Sequence, residues 1–363
     1  MPTYEGLKRP IRLDPQGLTD TILRKGTPSR VYHMELFQDV EIRNAIAERF
    51  GLADKLDRAD PHYDKRLYIA VQRFCGFDYV RVALDDVSWP LHKATIDDVA
   101  ALERAGGRTY QDEHTGPIMK PEDLDTYPWP SLTSPSVTRS LEWYQTNLPD
   151  DMCIVCGSAS HFCELLTWLM GYETFCFALY DQRELVRELA GRLVAAYVKI
   201  TELYLSFDRL RMIFASDDMG FRSGLLFGRE DMIELVLKPH ARIAAMSHAA
   251  GRPYLLHTCG NMSTIMDYLI DEVRIDAKHS FEDTIEDVRD VKKSYGRRTG
   301  IIGGIDVDFL CRSSEKAIRR RVRETLETCQ PGGGYCLGSG NSVTNYVPLD
   351  NYLAMVDEGR LWA

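Results

Sequence analysis

Short aliphatic runs recur along this chain with helix-length segments between them, and that alternation is the pattern of a parallel sheet joined by crossover helices. Eight runs qualify, at residues 31–34, 79–83, 153–156, 212–216, 254–258, 275–279, 300–304 and 334–337. The segments between them carry helix signatures: Asp181-Gln182-Arg183-Glu184 reads as a capping-box start, followed by Leu185, Leu189, Leu193 and Tyr197 on one face. Eight strands connected in this way predict a single α/β domain over residues 1–363, a closed (β/α)8 TIM barrel rather than an open sheet. Residues 1–29 form an N-terminal extension expected to close the bottom of the barrel. The connection after the second strand, about residues 85–151, contains Pro90, Pro117, Pro121, Pro128, Pro130 and Pro135, and is expected to hold an inserted lid or subdomain as well as a barrel helix.

Composition narrows the function. A net charge of −10 provides no field to attract a phosphate backbone, and the densest basic cluster, Arg319-Arg320-Arg321 with Arg323, alternates with Glu315, Glu324 and Glu327 at the spacing of a solvated helix face. Nucleic acid is therefore not an expected partner. No apolar run approaches the roughly 20 residues that span a bilayer, and the first residues lack the regions of a signal peptide, so a cytoplasmic protein with no membrane partner is expected. Nine cysteines, several in apolar stretches such as Cys153-Ile154-Val155-Cys156, read as reduced core thiols.

In such barrels the chemistry gathers where strands end. His257 and Cys259 close the fifth run, and side chains two apart on a strand share a face. With Cys336, in the Gly-rich eighth run, they form a nitrogen and two-sulfur set suited to zinc, leaving a coordination position for chemistry. Glu282, just after the sixth run, is a candidate fourth ligand or else a helix cap; His279 could serve in its place, but a histidine at a strand end is more often a hydrogen-bonded neighbour of the metal. Asp217, Glu282 and Asp306 are the candidate catalytic carboxylates. Glu35, His161, Asp217, His279 and Asn341 are the candidates for holding substrate. Asp217 is preferred over Asp218 for the barrel interior, with Asp218 left to cap the next helix. Trp89, Tyr127 and Trp129 are either a pocket wall or the core of the inserted segment. Neither the Gly303-Gly304 nor the Gly332-Gly333-Gly334 run has phosphate-loop spacing, and no nucleophile elbow or dinucleotide fingerprint is present.

Taken together, Arg30-Val31-Tyr32-His33-Met34-Glu35, His161-Phe162-Cys163-Glu164, Asp217-Asp218-Met219-Gly220, Leu256-His257-Thr258-Cys259-Gly260-Asn261, Gly303-Gly304-Ile305-Asp306 and the Cys336 segment resemble the uroporphyrinogen decarboxylase superfamily, especially its zinc-dependent corrinoid methyltransferase branch. The resemblance implies a (β/α)8 barrel, with His257, Cys259 and Cys336 on Zn2+ and Glu282 at the position where cobalamin-independent methionine synthase adds a glutamate. It implies methyl transfer between a small molecule, a methoxylated compound or a thiol, and a corrinoid (cobalamin) supplied by a partner corrinoid-binding protein, in the manner of O-demethylase components. The alternatives are a metal-free decarboxylase and a non-catalytic barrel with structural zinc. The Arg-Gln-Ala-Gly-Arg-Tyr string of true uroporphyrinogen decarboxylases does not occur in this chain.

Overall fold

A parallel strand pair needs a crossover, and the strands found here take the simplest course, each pairing with the next in sequence. The computed structural model describes residues 3–104, 106–158 and 160–362. The main sheet comprises β1 (Tyr79–Val82), β2 (Cys153–Cys156), β3 (Leu210–Ser216), β4 (Tyr254–His257), β5 (Ala277–His279), β6 (Gly300–Ile302) and β7 (Tyr335–Cys336). All six ladders are parallel and the order is β1 to β7 without reversal. A sheet with no reversal has no switch point, so crossovers of one hand put the helices on one side and curl the sheet.

The 31–34 run, expected as a full strand, contributes one parallel bridge, His33 to Leu337. Met34 N donates to Leu337 O at 2.9 Å and Leu337 N to Tyr32 O at 2.8 Å. On its other side a side chain stands where a ladder would be: the Tyr79 hydroxyl accepts from Glu35 N (3.0 Å) and donates to Glu35 O (2.9 Å). The sixth run is also shorter than expected, because Ile275 N bonds back to Leu269 O (3.1 Å) at the end of the preceding helical turn. The expected capping box at Asp181 does not form. Asp181 is the last residue of the helix Tyr172–Asp181, and the helix Arg183–Leu205 starts after Gln182 with no side-chain cap. Leu185, Leu189, Leu193 and Tyr197 are nevertheless its buried face.

Alternate strand residues enter different layers of the core. Val80, Val82, Ile154, Cys156, Ile213, Ala215, Tyr254 and Leu256 join one buried cluster with the helix Arg183–Leu205. Tyr79, Cys153, Val155, Met212, Phe214, Leu255 and Ala277 fill the other face of the sheet. The connection from β1 to β2 contains the antiparallel pair Lys93–Ile96 with Arg108–Gln111, then the helices Asp123–Thr126 and Arg139–Asn147. Trp89, Tyr127 and Trp129 pack on one another at centroid separations of 5.0 to 6.1 Å, and Trp89 stacks on Tyr197. They are the packing beneath this connection. The helix Pro15–Ile22, capped by Asp14, meets the start of β7 through Gly334 N to Thr21 O at 2.7 Å. No helix among the described residues is long and apolar enough to cross a membrane.

Candidate metal centre

Residues in register on parallel strands share a face, and the ladders place Ser216, His257 and His279 on one rung. His257 continues the inner face of Leu255. Counting from Ser216, Asp217 turns outward and Asp218 inward, the reverse of the sequence expectation. That expectation took Asp217 from the parity of Ala215, which packs on the helix side. The register to β4, which sequence alone does not display, is the signal that identifies Asp218.

Asp218 faces His257 and Cys259. Its Oδ1 lies 3.3 Å from His257 Nε2 and accepts from Cys259 N at 3.0 Å. Cys259 Sγ is 3.4 Å from the same Nε2. All three donor atoms lie within 4.8 Å of one another. Tetrahedral zinc, with bonds of about 2.0 Å to nitrogen or oxygen and about 2.3 Å to sulfur, sets its ligand atoms about 3.3 Å apart for N and O and about 3.5 Å for N and S. The residues present fit that ion. Burial opposes ionisation of Asp218, but a proton on His257 Nε2, by its hydrogen bond and charge, holds the carboxyl down at about 2, and zinc would take the place of that proton. Burial and the Asp218 carboxylate push the Cys259 thiol up. A cation is what would reverse that.

The loops carrying these ligands are closed against each other. Asn261 N donates to Phe221 O at 2.9 Å, and Gly260, at φ 90°, lies so near Gly220 that a β-carbon on it would fall on the Gly220 carbonyl. Asn341 completes the pocket. Its Oδ1 accepts from Ser342 N at 2.8 Å, which leaves Nδ2 to donate to Cys259 Sγ at 3.2 Å. Asn341 therefore supports the sulfur as a donor and is not a substitute ligand.

The structure does not bring Cys336 into this group. Cys336 is fully buried, and its charged neighbours are Asp78, Arg30 and Lys292, near the amino-terminal ends of the strands. The sequence reading equated a strand end with the rim, but strands in a twisted, curled sheet are inclined to one another, so residues on nearby rungs differ in height around the sheet. The chain beyond Cys336 keeps climbing, bridging Ile305 to Ser339 and reaching the rim at Asn341. Glu282 also stands outside the three-donor group. Burial raises its carboxyl above the usual range, with Asp306 and Asp218 adding to the effect, and it lines a cavity of about 680 Å³ together with Asp306, Asn341 and Tyr346. Its backbone oxygen accepts from Ile285 N and Glu286 N.

The remaining candidates are bound to the scaffold. Asp217 is wholly buried and accepts from Cys163 N (2.9 Å), Glu164 N (2.9 Å) and His240 Nε2 (2.8 Å). It anchors the start of the helix Phe162–Met170 and faces away from the Asp218, His257 and Cys259 group. His240, which sequence reading missed, is in turn held by the Tyr254 hydroxyl at 2.7 Å. His161 donates Nδ1–H to Ser216 O at 2.9 Å and stacks on Tyr197. Asp306 caps the helix Val307–Arg312 and accepts from Asp283 N at 2.9 Å. Glu35 lies 3% exposed, with Oε1 accepting from Ser339 N (2.9 Å) and Oε2 at 2.5 Å from Ser339 Oγ. His279 Nδ1 is 2.7 Å from His257 Nδ1, and its Nε2 is 3.2 Å from Ser339 O. Burial, and the neighbouring His257, hold His279 well below the usual imidazole range.

A methyltransferase from Methanosarcina mazei superposes with a TM-score of 0.66 at 16% identity, covering 97% of this chain and 100% of that one. An arabinopyranosidase from Geobacillus stearothermophilus gives a TM-score of 0.41 at 13% identity, over 93% of this chain and 76% of that one. No curated protein sequence matches. Residues 109–362, most of the chain, match the family described as uroporphyrinogen decarboxylase (URO-D). The chain belongs to the uroporphyrinogen decarboxylase family.

Proposed function

We propose that this protein is a zinc-dependent methyltransferase that moves a methyl group between a small molecule and the corrinoid of a separate protein. The observation that carries the reading is the Asp218, His257 and Cys259 donor set, spaced for a tetrahedral ion on the inner face of the sheet. We read the sheet with the 31–34 segment as a closed (β/α)8 barrel whose mouth holds this site, and residues 85–151 as its inserted cover. The likeness to a methyltransferase supports the fold of that reading.

Zinc at these residues would act as a Lewis acid toward a substrate oxygen, or would hold a substrate thiol as thiolate. Asp218 and Cys259 together offset the charge of a divalent ion, and three protein donors leave one tetrahedral position for substrate. Asn341 donates to the sulfur and moderates its charge. Glu282 lines the adjacent cavity, which supports a role in accepting or returning a proton at that opening. Arg81 projects inward from β1, half-buried, with its guanidinium on the carbonyl oxygens of Leu36, Ser158 and Phe214 and with no carboxylate at ion-pair distance among the described residues. A lone positive charge there favours a substrate bearing an anionic group.

The test joins metal analysis to turnover. The purified protein is expected to hold one zinc, and a panel of methoxylated acids and methylated thiols is assayed by the spectral change of Co(I) to methyl-Co(III) on a purified corrinoid protein. A protein that binds no metal and transfers no methyl group in either direction refutes the reading, and release of carbon dioxide from a carboxylated substrate without metal would put decarboxylation in its place.

A further inference from the structure

We propose that His279 is a positioning residue, which, held by the Ser339 carbonyl, fixes the tautomer of His257 so that its Nε2 lone pair faces the metal. The inference rests on the metal reading above, and is carried by a chain of hydrogen bonds in which each proton has one place to go. A carbonyl oxygen only accepts, so the 3.2 Å contact from His279 Nε2 to Ser339 O puts a proton on Nε2. His257 Nε2 is the atom directed at Asp218 and Cys259, so it is the coordinating atom and the proton of that ring belongs on Nδ1. The 2.7 Å contact between the two Nδ1 atoms then makes His279 Nδ1 the acceptor, and the two ends of the chain agree. A metal-binding imidazole is commonly oriented through its other nitrogen by a carboxylate, a carbonyl or water. Here a second imidazole does this and relays the demand of a backbone carbonyl.

The fold supports each end of the chain. Ser339 is fixed by Glu35, which accepts from its N–H at 2.9 Å. Gly303, at φ 82°, accounts for part of the otherwise unexplained Gly303-Gly304 run: a β-carbon there would come within 3.0 Å of His279 Nε2 and would fall on Ser339 O, the two atoms whose contact sets the tautomer. Phe214 closes the remaining side with an edge-to-face contact at 5.8 Å.

Three variants separate positioning from bulk. His279→Asn keeps an acceptor where Nδ1 lies, His279→Gln keeps a donor where Nε2 lies, and His279→Leu keeps neither. Zinc affinity, measured by competition with a chromogenic chelator, is expected to fall about 10- to 100-fold in the Leu and Gln variants and to be largely retained in Asn. Equal affinity in all three and in the wild type overturns the proposal, as does a loss in Asn as large as in Leu. Histidine nitrogen NMR of the wild-type protein keeps the idea falsifiable should a variant not fold. The expected pattern is His279 protonated on Nε2 and His257 on Nδ1, and a proton on His279 Nδ1 overturns it. The same spectrum of metal-free protein distinguishes the two failures: His279 protonated on Nε2 in a wild type that binds no zinc sinks the metal reading and upholds the hydrogen-bond relay.

Discussion

Replacing Glu35 by glutamine is expected to stabilise the protein at neutral pH and above. Ser339 Oγ lies 2.7 Å from Asn341 O, a carbonyl that only accepts, so the serine proton is committed there. The 2.5 Å contact between Ser339 Oγ and Glu35 Oε2 then needs its proton from Glu35. Burial agrees, pushing this carboxyl from 4.5 up to about 8 against the hydrogen bonds of Ser339. The folded protein therefore keeps the proton to about pH 8, whereas the unfolded chain gives it up near 4.5. Stability from this group is full below pH 4.5 and is lost as pH rises through 8. At pH 7 the loss is about 3 kcal/mol, tenfold in protonation being about 1.36 kcal/mol. A glutamine can accept from Ser339 N and donate to Ser339 Oγ without that penalty. Urea titrations at a series of pH values should show the variant and wild type nearly equal at pH 4.5, with the gap opening in favour of the variant by pH 8. A gap that does not change with pH, or a variant less stable throughout, would refute the assignment of a neutral Glu35.

Other outcomes follow from the same geometry. Cys259→Ser and Asp218→Asn should each lose zinc on dialysis, while Cys336→Ser should retain it, read as metal per chain by elemental analysis. Gly303→Ala should lower stability by more than about 1 kcal/mol, the cost of a side chain at positive φ alone, and should weaken zinc binding as well, checked by denaturation and chelator competition. Asp217→Asn should cost about 3 kcal/mol, because one amide oxygen cannot serve three buried donors, and should leave zinc binding unchanged. Arg81→Met should raise KM for acidic substrates of the panel and leave KM for neutral ones alone.

The alternation of aliphatic runs revealed the seven strands of the main sheet because a buried parallel strand is apolar on both faces, which composition displays directly. His257 and Cys259 were legible for the same kind of reason: two residues apart at a strand's end, where the chain stays extended for a step beyond His257, they face the same way. What the sequence could not display was the relation between strands. Asp218 needed the register Ser216 to His257, Asn341 needed the climb of the chain beyond Cys336, and the pairing of His257 with His279 needed two strands side by side. Cysteine at 336 drew the metal reading because its chemistry suited zinc, but height along a tilted strand is a tertiary property. The 31–34 run had the composition of a strand, yet just beyond it the Tyr79 hydroxyl occupies the backbone N–H and carbonyl of Glu35.

Where Gly260 rests on Gly220, the span between Asp218 and His257 is governed by one missing β-carbon, that of Gly260. Any side chain there would wedge the Asp218 loop outward and enlarge the gap between oxygen and nitrogen, so the choice of ion, small and tetrahedral or larger with more ligands, is written as much in this bare contact as in the atoms that would hold it.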